Sequence, residues 1–158
     1  MELGGGIGML ATACALKIGG DRVHSYEANP ILETLIRDNY GLNNVSPHLK
    51  MCMLGRTHDT CTFYVCKHFA RSSAYDLLND EIKRIQPTVL VMDVQGSEGE
   101  LLGFADLSGV RKLLVEMHPN VLEINQVNRL RRQLRAQGFI EVERAGQSFM
   151  YLREGYLV

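Results

Sequence analysis

The sequence lacks the features that define several common classes of protein. Its formal net charge is −1 over 158 residues, so it lacks the basic surface that proteins use to bind the phosphate backbone of nucleic acids. No apolar run reaches the length of a membrane span, and the N-terminal residues lack the pattern of a secretory signal. We therefore expect no nucleic-acid partner, no membrane association and a cytoplasmic location.

The cysteines also lack a recognisable pattern. They stand at Cys14, Cys52, Cys61 and Cys66, and no two of them form a C-x-x-C pair. A chain of this length can bury a sizeable core without disulfides. We expect reduced thiols, no metal site and a single domain covering residues 1–158.

Glycine is concentrated near the start of the chain. Gly4, Gly6 and Gly8 follow Glu2 at every second position, and an apolar run from Met9 has the period of a helix. Glycines let a ligand approach the backbone, and a helix that follows them exposes free N–H groups. We expect Glu2, at the end of the first strand, and the three glycines to bind a cofactor.

Two cofactors fit this glycine pattern. The order E-x-G-x-G-x-G favours S-adenosylmethionine (SAM), because the dinucleotide pattern G-x-G-x-x-G would need a glycine at Met9. In another frame, Gly6, Gly8 and Ala11 match G-x-G-x-x-A, so NAD stays an alternative. Only Met1, Glu2 and Leu3 precede the glycines, so we expect the first strand to be truncated.

Alternating strand and helix patterns follow along the chain. We predict strands over residues 22–27, 49–54, 61–65, 88–94 and 112–117, helices over 75–85 and 121–137, and a terminal hairpin formed by 139–144 and 148–153. This order predicts an α/β fold with a doubly wound, mostly parallel sheet, helices on both faces and a C-terminal antiparallel β-hairpin. Class I SAM-dependent methyltransferases usually end this way, whereas dinucleotide dehydrogenases lack the hairpin.

Further cofactor contacts are expected in the first half of the chain. Glu27 lies 19 residues after Gly8, the spacing at which a βαβ unit presents an acid to a ribose. Asn29 precedes Pro30 and is expected to cap the next helix. By order along the chain, Leu54 is expected near the adenine.

Candidate catalytic groups follow the strands of the second half. Asp93 ends the most apolar strand and His118 follows the next one, so both should lie at the carboxyl edge of the sheet. Either could accept a proton from a substrate, and Asp93 is also expected to favour the positively charged cofactor. Glu98 and Glu116 are candidates for contacting substrate hydroxyls, and Ser97 with Glu100 has the spacing of a helix capping box.

Four segments together resemble the FkbM family of methyltransferases. They are Glu2-Leu3-Gly4-Gly5-Gly6-Ile7-Gly8, Tyr26-Glu27-Ala28-Asn29-Pro30 with Asn39 and Asn43, Met92-Asp93-Val94-Gln95-Gly96-Ser97-Glu98, and Leu114-Val115-Glu116-Met117-His118. The resemblance implies a SAM-dependent O-methyltransferase acting on a hydroxyl of a small molecule or glycan. It also places Asn29 at the cofactor and Gln95 at the substrate.

Gln95 stands where this family usually has glutamate, which bears on the substrate chemistry. Two alternatives therefore stay open beside the enzyme: a catalytically degenerate SAM-binding module and a small NAD-binding oxidoreductase.

Overall fold

A computed structural model of the chain describes residues 1–56, 61–65, 68–72, 75–118 and 124–156. These residues divide into two compact units, Met1–Asp80 and Glu81–Val158. Within the described ranges, no helix has the length and apolar character needed to cross a bilayer.

The first unit alternates short strands with helices. Its elements are β1 (Glu2–Leu3), α1 (Met9–Ile18), β2 (His24–Tyr26), α2 (Glu33–Leu42), β3 (His48–Lys50), β4 (Met53–Gly55), β5 (Cys61–Val65), β6 (His68–Ser72), β7 (Tyr75–Leu77) and the start of α3 (Leu78–Ile85). Strand β2 is parallel to both β1 and β3, with Ser25 opposite Glu2 and His24 opposite His48. Parallel neighbours place their carboxyl ends at one edge, which sets the position of the loops that follow β1 and β2.

The helices of the first unit are held by a small apolar core. Ala11 and Ala15 of α1 pack with Ile36 and Tyr40 of α2 and with Val23. Both alanines are almost completely buried, so a larger side chain at either position would have to displace its neighbours in this core.

Two predicted elements of the first unit are wrong in detail. The strand predicted over 49–54 is two strands, because β3 pairs with β2 whereas β4 pairs with β7. The helix predicted over 75–85 begins only at Leu78, since residues 75–77 form β7 in parallel pairing with β4. Strand pairing between distant segments decided both cases.

The second unit contains a mixed set of strands. Its elements after α3 are β8 (Val89–Met92), α4 (Glu98–Phe104), β9 (Lys112–Glu116), α5 (Ile124–Ala136), β10 (Phe139–Ala145) and β11 (Ser148–Arg153). Strand β8 is parallel to β9, and β11 runs antiparallel to both β9 and β10. The predicted α/β fold, with mostly parallel strands and a C-terminal antiparallel hairpin, is confirmed.

One arginine near the end of the second unit donates hydrogen bonds to three separate segments. The Arg153 side chain donates to the backbone carbonyls of Val110 at 2.7 Å, Gln137 at 2.8 Å and Leu107. Its guanidinium also lies 4.4 Å from the centre of the Phe139 ring. A planar group with five N–H donors is suited to joining three separate segments in this way.

Two further sequence predictions meet the structure in the second unit. The helix predicted over 121–137 is observed from Ile124 to Ala136, and residues 121–123 lie outside the described ranges. The capping box predicted at Ser97 is wrong, because the Ser97 side chain makes no capping hydrogen bond. The Glu98 carboxylate instead accepts hydrogen bonds from the N–H groups of Val94 and Gly96 just ahead of the helix.

Candidate functional site

The glycine-rich loop turns the chain sharply between β1 and α1. Gly4 and Gly5 both donate their N–H groups to the carbonyl of Tyr26, at 2.9 and 3.0 Å. Gly4, Gly6 and Gly8 all have positive φ, a conformation that side chains other than glycine rarely adopt. The predicted glycine turn is thus present, and it is fixed to the end of β2.

Glu27 forms the link between the loop and the segment after β2. One carboxylate oxygen accepts the Gly6 N–H at 2.7 Å, and the other accepts the Asn29 N–H at 2.7 Å. The residue is 8% exposed. Each carboxylate oxygen has a second lone pair, so Glu27 holds the loop in place and can still accept hydrogen bonds from a ligand.

Glu2 lies under the loop and is held by a residue that the sequence analysis missed. The Ser25 hydroxyl donates to the Glu2 carboxylate at 2.6 Å, and both residues are buried. A Cβ added to Gly5 would come within 2.5 Å of the Ser25 oxygen, so this glycine is required by packing. The sequence around Ser25 is polar on both sides and gave no signal that could have identified this partner.

Gly6 differs from Gly5 because there is free space beside its Cα atom. A Cβ added to Gly6 would meet no described atom within 4 Å, so the backbone is open to a ligand on that side. The first turn of α1 adds free N–H groups, since neither an acidic side chain nor a side-chain cap occupies it. The loop thus presents an open stretch of backbone beside a buried carboxylate.

The remaining first-unit candidates have other positions. Asn29 uses its side chain to accept the Ile31 N–H at 3.1 Å, so it caps a one-turn helix as predicted. Leu54 is buried in β4, and its contact with the adenine stays a prediction. Burial, followed by the charge of Glu2, raises the pKa of the Cys14 thiol, which keeps this thiol protonated.

The second unit brings three other candidates together. Asp93 follows β8, His118 follows β9, and Glu98 begins α4. The His118 Nδ1 atom lies 2.8 Å from a Glu98 oxygen, and its Nε2 atom lies 3.6 Å from an Asp93 oxygen. The structure thus places His118 between two carboxylates, one of them buried and the other partly exposed.

Gln95 and Glu116 complete the set of predicted residues. Gln95 has a positive φ of 54° and donates its side-chain amide to Asp93 at 3.0 Å. Glu116 lies in β9 opposite Ser148. Gln95 therefore belongs to the group around Asp93, whereas the contact of Glu116 with substrate stays a prediction.

Comparison with known proteins gives a consistent result for the fold. No protein-family profile matches the chain, and no curated protein sequence matches it. Solved structures that resemble it include the ribosomal protein L11 methylase of Lactobacillus delbrueckii subsp. bulgaricus, with a TM-score of 0.55 and 17% identity. A methyltransferase from Pyrococcus furiosus has a TM-score of 0.51 and 14% identity.

A mutant of DNMT2 from Spodoptera frugiperda gives a TM-score of 0.59 at 16% identity. The alignments cover 95%, 96% and 99% of this chain in the same order. They cover 66%, 74% and 50% of the three solved chains, so this chain spans half to three quarters of their length. At these identities the likeness concerns architecture, and the chain has the class I methyltransferase fold.

Proposed function

We propose that the chain is a SAM-dependent methyltransferase that transfers a methyl group to a hydroxyl of a small molecule or glycan. The observation that carries the proposal is the contact of Glu27 with Gly6 and Asn29. It places a buried carboxylate with free lone pairs beside an open stretch of glycine backbone. Both hydroxyls of a ribose can donate to such a carboxylate, and charged acceptors make strong hydrogen bonds.

The glycine loop supplies the rest of the cofactor site. Gly6 leaves room for the ligand. Gly8 precedes α1, and the N–H groups of the first turn of α1 point toward the glycine loop. The side-chain amide of Asn39 donates to the Ile7 carbonyl at 2.6 Å, which restrains the loop from α2. A loop that is already ordered loses less conformational freedom when a ligand binds.

SAM, when bound, supplies a methyl group on a positively charged sulfonium. The acceptor must then be aligned for in-line attack, and its hydroxyl must lose a proton. Asp93 and His118 present an oxygen and a ring nitrogen 3.6 Å apart. We assign them the tasks of orienting the hydroxyl and accepting its proton, with Gln95, Glu98 and Glu116 as further acceptor contacts.

A hydroxyl acceptor is favoured by the charge of the chain. With a net charge of −1, the chain lacks an excess of basic residues for a phosphate backbone. The resemblance of the glycine, Glu27 and Asp93 segments to FkbM methyltransferases supports the same acceptor class. The names of the solved structures indicate other substrates for those proteins, among them a ribosomal protein.

Calorimetry of the full chain tests the cofactor. We expect SAM to bind and NAD to give no heat, and Glu27→Ala to weaken SAM binding by about 1–3 kcal/mol because the ribose loses a charged acceptor. Glu33→Ala is the matched control, since Glu33 is partly exposed and pairs with Arg37 on α2. Unchanged SAM affinity in Glu27→Ala, or tighter binding of NAD than of SAM, would refute the cofactor proposal.

Methyl transfer is tested next with a panel of sugar and small-molecule hydroxyls and labelled SAM. On a working acceptor, His118→Ala should lower turnover by roughly 10²–10⁴-fold while SAM binding is retained. Asp93→Asn should also lower turnover. SAM binding without transfer to any acceptor would favour the degenerate SAM-binding module instead.

A further inference from the structure

The side chains of Asp93, Glu98 and His118 have the composition and spacing of a metal site. Each of the three side chains offers one ligand atom, and these atoms all lie within 4.8 Å of one another. They come from three places in the second unit, namely the end of β8, the start of α4 and the end of β9. We call this group the Asp-Glu-His cluster.

Glu98 is unusual because its carboxylate is completely buried. One oxygen accepts the N–H groups of Val94 and Gly96, at 3.3 and 3.1 Å, and contacts His118. Among the described residues, no group donates a hydrogen bond to the other oxygen, Oε2. A buried carboxylate oxygen without a donor is costly, which indicates that a ligand satisfies it.

The charge of the cluster leads to the same conclusion. Two carboxylates face one imidazole, and the ion pairs found for Asp93 and Glu98 within the described ranges are both with His118. A single imidazolium would leave one negative charge uncompensated. A divalent cation would balance both carboxylates and leave His118 neutral, the form in which a ring nitrogen binds a metal.

We propose that the Asp-Glu-His cluster binds one divalent first-row cation of the Mn²⁺ or Zn²⁺ type. Mixed carboxylate and imidazole donors suit these ions. In the metal-bound form the hydrogen bond between His118 and Glu98 would be replaced, and one ring nitrogen with one oxygen of each carboxylate would bind the cation. The Asp93 oxygen lies beside Nε2, and Oε2 of Glu98 is the acidic oxygen left without a donor.

The spacing of the atoms is close to that of a metal site. Ligand atoms about 2.0–2.2 Å from one cation lie about 3–4 Å apart in tetrahedral or octahedral coordination. The separation of 3.6 Å between His118 and Asp93 falls in this range. The largest separation of 4.8 Å requires a shift of less than about 1 Å, which the partly exposed Asp93 side chain can supply.

The catalytic role of the cation rests on the proposed function, whereas the binding of the cation to the cluster does not depend on it. A divalent cation lowers the pKa of a hydroxyl bound to it and fixes its orientation. His118 would then act as a ligand in place of the proton acceptor assigned above, and the cation would make the acceptor hydroxyl acidic enough to release its proton to water. This inference also extends the sequence analysis, which considered only the cysteine spacing when it expected no metal.

The test measures Mn²⁺ binding to the full chain after dialysis against a chelator, by calorimetry and by the electron paramagnetic resonance signal of free Mn²⁺. We expect one saturable site that Zn²⁺ competes for, weakened at least tenfold in Asp93→Asn and in His118→Ala. Glu143→Gln, which neutralises an exposed carboxylate of the same unit, is the control and should bind as the wild type does. Circular dichroism establishes that each variant is folded.

Two results would overturn the inference: binding of Mn²⁺ that does not saturate, or equal affinity in Asp93→Asn, His118→Ala and the wild type. SAM calorimetry on the same samples separates this proposal from the proposed function. SAM binding without a Mn²⁺ site refutes only the cation. A Mn²⁺ site without SAM binding supports the cation and refutes the cofactor.

Discussion

Replacing Gly8 by alanine should destabilise the first unit more than the same change at Gly6. Gly8 precedes α1 with a φ of 80°. A Cβ built there would lie 2.9 Å from Cγ2 of Ile36 and 3.0 Å from Cε1 of Tyr40. Both neighbours belong to the buried core of the unit, so they cannot move into solvent.

Two costs add at this position. The left-handed conformation costs a side chain about 1–2 kcal/mol. Forcing a methyl group into a packed core costs about 1–3 kcal/mol. We therefore expect Gly8→Ala to lower the free energy of unfolding by about 2–5 kcal/mol, a large share of the stability of an ordinary domain.

Gly6→Ala is the matched control, because its φ is also positive and its Cβ meets no described atom within 4 Å. It carries only the conformational cost of about 1–2 kcal/mol. Gly41→Ala lies inside α2 with similar free space, and should stabilise the helix by roughly 0.5–1 kcal/mol.

Urea unfolding of the three variants at 25 °C, without ligand, gives the free energies. The difference between Gly8→Ala and Gly6→Ala isolates the contact with Ile36 and Tyr40. If the two variants unfold within about 0.5 kcal/mol of each other, a scatter ordinary for surface changes, the packing of α1 against α2 described above is refuted.

Two further stability predictions concern the second unit. Arg153→Ala should lower the free energy of unfolding by about 2–4 kcal/mol, because three backbone carbonyls lose a charged donor, whereas the exposed Arg132→Ala should change it by less than about 0.5 kcal/mol; equal effects in urea unfolding would contradict this. Burial raises the pKa of Tyr151 from 10.0 to about 12. Between these values the unfolded chain binds fewer protons, so stability should fall as pH rises, by at most about 1.4 kcal/mol per pH unit. Tyr151→Phe should make this slope shallower, and an identical slope in that variant would contradict the assignment.

The local parts of the fold could be predicted from the sequence. The glycine turn, the helix from Met9 and the terminal hairpin depend on residues close together in the chain, and the structure contains all three. Asn29 is likewise a local signal, since its side chain caps the residues immediately after it. In each case, short-range backbone preferences were enough.

Strand pairing could not be predicted in the same way. Residues 49–54 form one apolar pattern, but β3 and β4 pair with different strands. The residues of β7 have a helical pattern with those of α3, yet they pair with β4. Such partners are distant in sequence, and periodicity carries no information about them.

The candidate site was predicted in part. Alternation of strands and helices placed Asp93 and His118 at the same edge, and the structure brings them to 3.6 Å. The sequence did not reveal that Glu98 lies between the backbone and His118, because Ser97-x-x-Glu100 offered a simpler local explanation of the helix start. In the structure Glu98, and not Ser97, accepts hydrogen bonds from the backbone ahead of the helix, and Glu98 is buried.

Glu27 and Glu98 both hold a loop in place with their carboxylates, and both can also accept hydrogen bonds from a ligand. Each carboxylate accepts two backbone N–H groups, Gly6 and Asn29 for Glu27 and Val94 and Gly96 for Glu98. At Glu27 each oxygen accepts one N–H and keeps one lone pair, whereas at Glu98 all three contacts fall on Oε1 and leave Oε2 without a donor among the described residues. Each side chain is therefore fixed by the loop that it stabilises and keeps acceptor sites for a ligand. For these two residues a structural role and a binding role are not alternatives, because the first produces the order that the second requires.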